Sequence, residues 1–226
     1  MKDFLKNINP LLLKYNKPRV FNNVISNVDS IVTWKDLETC MNNPVFYNFD
    51  IIDTNNIKVD IPKFEKPWVT DKLVPEKKFL FNKLFSGNSL ILLNYGFYNL
   101  SINNLLTDIE NLLDVDAAAH VYYGFTNSKS FPIHCDAPPN FIVQIEGTTK
   151  WNVYDTSIEH PVGLLDPVNK KYLNTVIDIT LTPGDVLFIP AKMYHCAYPD
   201  NKRISMSIPC WPSDGLSKID RTMYTI

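Results

Sequence analysis

Ile133-His134-Cys135-Asp136, read together with the distant His195, is the stretch around which the rest of the chain falls into place. On an extended strand successive side chains point to opposite faces, so His134 and Asp136 share one face and Cys135 faces away as core filler. An imidazole nitrogen and a carboxylate oxygen aimed at one point, joined by a second imidazole, cover one side of a metal ion. That two-histidine, one-carboxylate set leaves coordination positions open on Fe(II). A His-x-Asp pair arises easily by chance, so its weight rests on the surrounding sequence.

His195 follows Asp136 by 59 residues and is approached through Pro183-Gly184-Asp185-Val186-Leu187-Phe188-Ile189-Pro190. This reads as a tight turn, a buried strand and a proline that deliver Tyr194-His195 near a strand end, with Asp185 supporting the turn. Short extended runs are predicted at 119–125, 141–146, 150–154, 176–181, 185–189 and 203–208, with Gly147 and Pro183-Gly184 between them. Strands this short and this closely spaced argue for a sandwich or barrel.

Upstream of residue 117 the texture is helical. Phe4, Ile8, Leu11, Leu12 and Tyr15 suit a short amphipathic helix broken at Pro10. Residues 17–21 read as a short strand after a proline. Thr33-Trp34-Lys35-Asp36 resembles a capping box opening a helix to about Met41, and 44–52 alternates like a strand. Residues 53–73 read as a polar surface excursion. Pro75 suits the first position of a helix that stops at Gly87. A buried strand over 89–95 precedes a helix capped by Ser101, with Leu105, Leu106, Ile109, Leu112 and Leu113 on one face. One domain over 1–226 is expected: a helix-rich cover at 1–116, a β core at 117–212 and a tail at 213–226.

The composition is 45% hydrophobic and 12% aromatic with 20% charged residues, which is globular with a large core. A net charge of −2 without a dense basic block gives no sign of nucleic-acid binding driven by phosphate contacts. There is no secretory pattern at the N-terminus and no apolar run of the roughly 18 residues that span a bilayer. Cys40, Cys135, Cys196 and Cys210 lack CxxC spacing and read as reduced thiols, so a cytoplasmic location is expected.

Residues 117–211 resemble the JmjC and cupin-like Fe(II)/2-oxoglutarate oxygenases, in the branch of the hypoxia-inducible-factor asparaginyl hydroxylase and the ribosomal oxygenases. The likeness rests on His134-Cys135-Asp136, Asn140 to Gly147, Trp151-Asn152-Val153-Tyr154 and Pro183-Gly184-Asp185 through His195. It implies a mainly β fold, a double-stranded β-helix (jelly-roll or cupin) barrel with an N-terminal helical cover. It also implies Fe(II) held by His134, Asp136 and His195, with 2-oxoglutarate and dioxygen as cosubstrates in the hydroxylation of a C–H bond. Asn140 matches a position that hydrogen-bonds the cosubstrate; its plainer reading is a turn-capping asparagine. Tyr122 or Tyr123 is a further donor, or else barrel core. Trp151, Trp211 and Phe141 read as core first and substrate-lining second, and His120 and His160 are unassigned.

The family places a lysine two residues after the glycine of this motif, paired with the far carboxylate of 2-oxoglutarate. Here Thr149 stands there and the lysine is Lys150, one residue on, which a regular strand turns to the opposite face. Thr149 offers only a neutral donor. Arg203-Ile204-Ser205 resembles the Arg-x-Ser strand that other 2-oxoglutarate oxygenases use, with Arg203 as anchor; its plainer role is a solvated strand-end charge. The nearest likenesses imply a protein side chain as substrate, with a tRNA base or small molecule left open. A cupin-like metal-binding protein without oxygenase activity, or a cupin isomerase or lyase on the same triad, are the competing readings. The ribosomal oxygenases continue into dimerisation and winged-helix regions, which a chain ending at Ile226 is not expected to contain.

Overall fold

The computed structural model describes residues 2–8, 12–13, 17–42, 48–53, 55, 57–66, 69–125, 128, 131–156, 163–164 and 167–212. Its helices are α1 (Lys2–Asn7), α2 (Trp34–Asn42), α3 (Lys77–Phe85) and α4 (Leu100–Leu113). The strands of the first half are β1 (Arg19–Phe21), β2 (Phe49–Ile52), β3 (Lys63–Lys66), β4 (Val69–Pro75), β5 (Ser89–Leu92), β6 (Val115–Ala117) and β7 (His120–Gly124). Those of the second half are β8 (His134–Cys135), β9 (Asn140–Glu146), β10 (Thr149–Thr156), β11 (Gly163–Leu164), β12 (Leu173–Leu181), β13 (Val186–Ile189), β14 (Tyr194–Pro199) and β15 (Arg203–Pro212).

Two antiparallel sheets carry the fold. The larger runs β1-β13-β9-β15-β7-β5-β2, with β6 also paired to β15, and the smaller runs β11-β8-β14-β10-β12. The apolar runs of the larger sheet are explained by burial on both of its faces. Phe141, Val143, Val186, Phe188, Ile204 and Met206 join a cluster with Phe4, Leu37, Leu105 and Ile109, so one face lies under the N-terminal helices. The alternate residues Ile142, Leu187 and Ile189 turn the other way and meet Trp151, Val153, Leu181 and Ala197 between the sheets. This is the jelly-roll arrangement with a helical cover that the sequence predicts.

Local chemistry accounts for the element ends. Thr33 Oγ1 donates to an Asp36 carboxylate oxygen at 2.6 Å and accepts from the Asp36 N–H at 3.3 Å, while the Thr33 N–H donates to the same carboxylate at 2.7 Å. The expected capping box therefore opens α2. Trp34 Nε1 donates to Glu146 Oε2 at 2.9 Å, and Lys202 pairs with Glu146 Oε1 at 2.9 Å, pinning α2 to the sheet beside β15. Asp185 accepts from the Asn23 and Thr182 N–H groups and the Thr182 hydroxyl, the turn-supporting role expected of it.

Several expectations need correction. The cap of α4 is Asn99, whose side chain accepts from the Ile102 N–H at 3.1 Å, and Ser101 lies inside the first turn. Pro75 closes β4 rather than opening a helix, and α3 begins at Lys77. The 53–73 excursion carries the β3–β4 hairpin, with Phe64 opposite Val74. The 89–95 strand is shorter, ending at Leu92, and Tyr95 sits in a single 3-10 turn. Of the strand expected over 44–52, residues 44–47 lie outside the described residues, as do Leu11, Tyr15, His160 and the 213–226 tail. No helix among the described residues is long and apolar enough to cross a membrane.

Candidate metal centre and its cavity

β8 is only two residues long, yet it is gripped on both sides. Its His134 lies directly opposite His195 of β14 and opposite Leu164 of β11. β14 is in turn held by β10, where Val153 faces His195. Asp136 follows β8, and its carbonyl accepts from the Lys192 N–H at 2.7 Å, tying it to the turn that leads into β14. Two strands brought together by antiparallel pairing thus bring residues far apart in sequence to one point.

The imidazoles are oriented by their far nitrogens. His134 Nδ1 lies 2.8 Å from the Pro132 carbonyl and His195 Nδ1 lies 2.9 Å from the Met193 carbonyl. A carbonyl can only accept, so each Nδ1 carries the proton and each Nε2 presents its lone pair. The two Nε2 atoms lie 3.9 and 3.6 Å from the Asp136 oxygens. Ligand atoms each about 2.1 Å from one metal and at right angles stand about 3 Å apart, so a small inward movement closes this set on an ion. Among the described residues it is the group of His, Cys, Asp and Glu atoms that gathers in this way, within 4.8 Å. Burial and the neighbouring His134 lower the His195 pKa to about 4, with Asp136 opposing, so His195 is neutral and ready to ligate.

The triad stands on the wall of a cavity lined also by Tyr122, Phe131, Asn140, Trp151, Arg203, Ser205 and Ser207. A more open outer recess overlaps it and adds His120, Pro138, Pro209 and Trp211. Trp151 is 6.1 Å from His195 and Phe131 5.4 Å from His134, so aromatic rings close two sides of the centre.

The sequence and the fold have counterparts among known proteins. The family model of the JmjC domain matches residues 99–214. The chain belongs to the JmjC family. Among curated relatives, the bifunctional lysine-specific demethylase and histidyl-hydroxylase NO66 of Drosophila persimilis is 28% identical over 123 residues, which are 54% of this chain and 18% of that protein. NO66 of Aedes aegypti is 23% identical over 208 residues, covering 87% of this chain and 30% of that protein. The Escherichia coli ribosomal oxygenase YcfD superposes with a TM-score of 0.65 at 17% identity, over 92% of this chain and 53% of that one. A YcfD structure in complex with cobalt and 2-oxoglutarate gives 0.62 at 18% identity, over 92% and 53%. The chain therefore spans under a third of these curated relatives and about half of the solved structures.

In this JmjC chain the residues singled out from sequence separate into two groups. His134, Asp136, His195, Asn140, Tyr122 and Arg203 all line the one cavity. Asn140 opens β9 and accepts from the Ser207 hydroxyl at 3.0 Å through Oδ1, so it is a wall residue held in place. Tyr123 takes the opposite face and donates to the Thr33 carbonyl at 3.1 Å, leaving Tyr122 as the cavity tyrosine. Lys150 points outward and pairs with Asp178 at 3.0 Å, so it contributes nothing to the cavity. Thr149 is fully buried and its hydroxyl has no hydrogen-bond partner, but it does not line the cavity. Phe141 is core, Trp151 is both core and cavity wall, and Trp211 is not core: it is 39% exposed at the outer recess. Arg203 is not a solvated strand end. It is 1% exposed.

Sequence reasoning left out His120, which lines the outer recess. Its Nδ1 accepts from the Asn94 N–H at 3.2 Å, and burial lowers its pKa against the opposing Asp136 and Asp50. The signal was its position two residues before Tyr122, which puts both on one strand face.

Proposed function

We propose that the chain is an Fe(II)- and 2-oxoglutarate-dependent oxygenase that hydroxylates a C–H bond of a protein side chain, with His134, Asp136 and His195 as metal ligands. The observation that carries this reading is the convergence of two Nε2 lone pairs and one carboxylate on the wall of a cavity that continues inward past them. Two neutral imidazoles and one anionic oxygen on one side suit Fe(II) with sites left open. The buried guanidinium of Arg203 in the same cavity suits an anionic cosubstrate. Bound Fe(II) with the 2-oxo acid supplies the oxidation of the C–H bond at the expense of dioxygen.

The chain's own residues do the positioning. The Pro132 and Met193 carbonyls hold both imidazoles in the ligating tautomer. Trp151 and Phe131 exclude water from two sides. The outer recess admits the side chain to be oxidised. A protein substrate is supported by the relatives, since NO66 is a histidyl-hydroxylase and lysine-specific demethylase and YcfD a ribosomal oxygenase. One domain is supported by the apolar cluster that runs from Phe4 to Cys210. An intracellular place of action accords with four free, buried cysteines.

The test is an anaerobic titration of the protein with Fe(II) and then 2-oxoglutarate, followed through the weak visible band of the bidentate chelate. The band, and succinate release on admitting air, are expected, and both are expected to vanish in Asp136→Ala. Fe(II) binding with neither band nor succinate would replace this reading by a metal-binding protein without oxygenase activity.

A further inference from the structure

A run of aromatic rings leads from the core to the surface at the end of the barrel away from the outer recess. Fully buried Tyr123 packs edge-on against Trp34 at 5.3 Å between centroids. Trp34 lies 4.7 Å from Phe125, Phe125 4.7 Å from Phe85, and Phe85 6.3 Å from Phe81. The run opens to solvent at its outer end, where Phe81 is 36% and Phe85 63% exposed. Phe125 follows Gly124, which ends β7, whereas His120 of the recess begins it. Four residues of strand separate those ends by about 13 Å, so a partner on these rings leaves the recess open.

α3 presents the exposed rings. Lys78, Phe81 and Phe85 are spaced three and four residues apart and form one exposed stripe about 10 Å long, while Leu80 and Leu84 fill the buried side. Contact along the run holds both exposed rings in place, so little side-chain freedom is left to lose on binding. The charges beside them are misplaced for the helix itself. Lys77 and Lys78 stand in its first turn, where the dipole disfavours cations, no acidic side chain stands there, and Glu76 at the N-cap makes no side-chain bond to the helix. Lys77 donates to the Asn42 side-chain oxygen and Lys83 lies over the Phe79 ring, but Lys78 is exposed with no ion pair among the described residues. In a chain of net charge −2 this rim is cationic, and an acidic group beside the rings would relieve it.

The size of the surface selects among occupants. Phe81 and Phe85 together expose about the area of one whole phenylalanine, roughly 200 Å². Each partner of a stable dimer buries roughly 800 Å², so the surface suits a short peptide better than a second copy of the chain. One unpaired lysine is also too little to track a phosphate backbone. We propose that α3 docks a short acidic segment of a partner protein, with a bulky apolar side chain on Phe81 and Phe85 and a carboxylate at Lys78 and the helix N-terminus. The site stands independently of the oxygenase reading, because none of its residues lines the cavity.

The experiment selects short random peptides displayed on phage against the wild-type protein, then titrates the synthetic winners by fluorescence anisotropy against wild type, Phe85→Ser and Lys78→Glu. Winners are expected to carry Asp or Glu near Phe, Leu or Trp, and to bind less tightly as salt rises from about 0.05 to about 0.5 M. Each variant is expected to lose at least about tenfold in affinity while its Zn(II) affinity stays unchanged. Should Phe85→Ser not fold, Lys78→Glu decides on its own. An absence of winners, winners without acidic residues, or winners that neither variant weakens would overturn the proposal. Sedimentation that shows a wild-type dimer dissolved by Phe85→Ser overturns it in favour of a second copy. Phe85-dependent binding to vesicles of phosphatidylcholine and phosphatidylserine overturns it in favour of a lipid surface.

Discussion

Removing Arg203 is expected to make the ligand-free protein more stable. In Arg203→Met a shorter side chain without charge takes a site that is 1% exposed. The fall of the guanidinium pKa from 12.5 to about 10 corresponds to about 3 kcal/mol of burial cost at about 1.4 kcal/mol per tenfold. Against this stands the bond to the Ser89 hydroxyl, a net contribution of about 1 kcal/mol. Ser89 keeps its own acceptor in the Ser128 carbonyl at 3.3 Å, so no new unsatisfied hydroxyl is created. Less about 1 kcal/mol for the void the shorter side chain leaves, the balance favours the variant by about 1 kcal/mol, a Tm rise of about 2–4 °C for a chain of this length. Differential scanning calorimetry on dialysed, chelator-treated protein measures it. A Tm lowered by several degrees would refute the reasoning, because it would mean that the guanidinium is already satisfied in the empty fold.

Three further outcomes follow from the same structure. His195 has a folded pKa of about 4 against an ordinary 6.5, so between those values the unfolded chain binds more protons and stability falls as pH drops. A loss of the order of 3 kcal/mol across that window is expected, with a flatter acid limb in His195→Asn, as read by urea unfolding at stepped pH without metal. Gly147 has φ +69° and its added Cβ would overlap the Lys202 carbonyl oxygen, so Gly147→Ala should lose at least about 2 kcal/mol in chemical denaturation. Asn99→Ala removes the α4 cap and should lower stability by about 1 kcal/mol, a Tm fall of about 2–4 °C, whereas Ser101→Ala should change little.

Side-chain periodicity made most of the core legible in sequence. The apolar runs of β9, β13 and β15, the reach to His195 and the capping box at Thr33 all express local rules that hold in the folded chain. The triad could be read because His134 and Asp136 are two residues apart and His195 follows a recognisable turn, strand and proline. What stayed hidden depends on partners distant in sequence. Arg203 reads equally as a carboxylate anchor and as a solvated strand end until Ser89, 114 residues away, and Gly124 are seen to enclose it. Lys150 and Thr149 differ by one residue of register, and it is the pairing of β10 with β12 that turns Lys150 to Asp178. Asn99 and Ser101 are equally good caps by composition, and the choice between them is made by where the chain leaves the 3-10 turn at Tyr95–Phe97. His120 gains its meaning only from the recess shared with Trp211 and Pro209.

The central claim is that one cavity holds both a metal at His134, Asp136 and His195 and a dicarboxylate reaching Arg203. A crystal structure of the protein with Mn(II) and 2-oxoglutarate, grown without oxygen, addresses it most directly. The account predicts density for the metal between the two Nε2 atoms and the Asp136 carboxylate, with the far carboxylate of the acid at Arg203. A metal bound elsewhere, or an acid whose far carboxylate turns out to solvent while Arg203 keeps only Ser89, would contradict it.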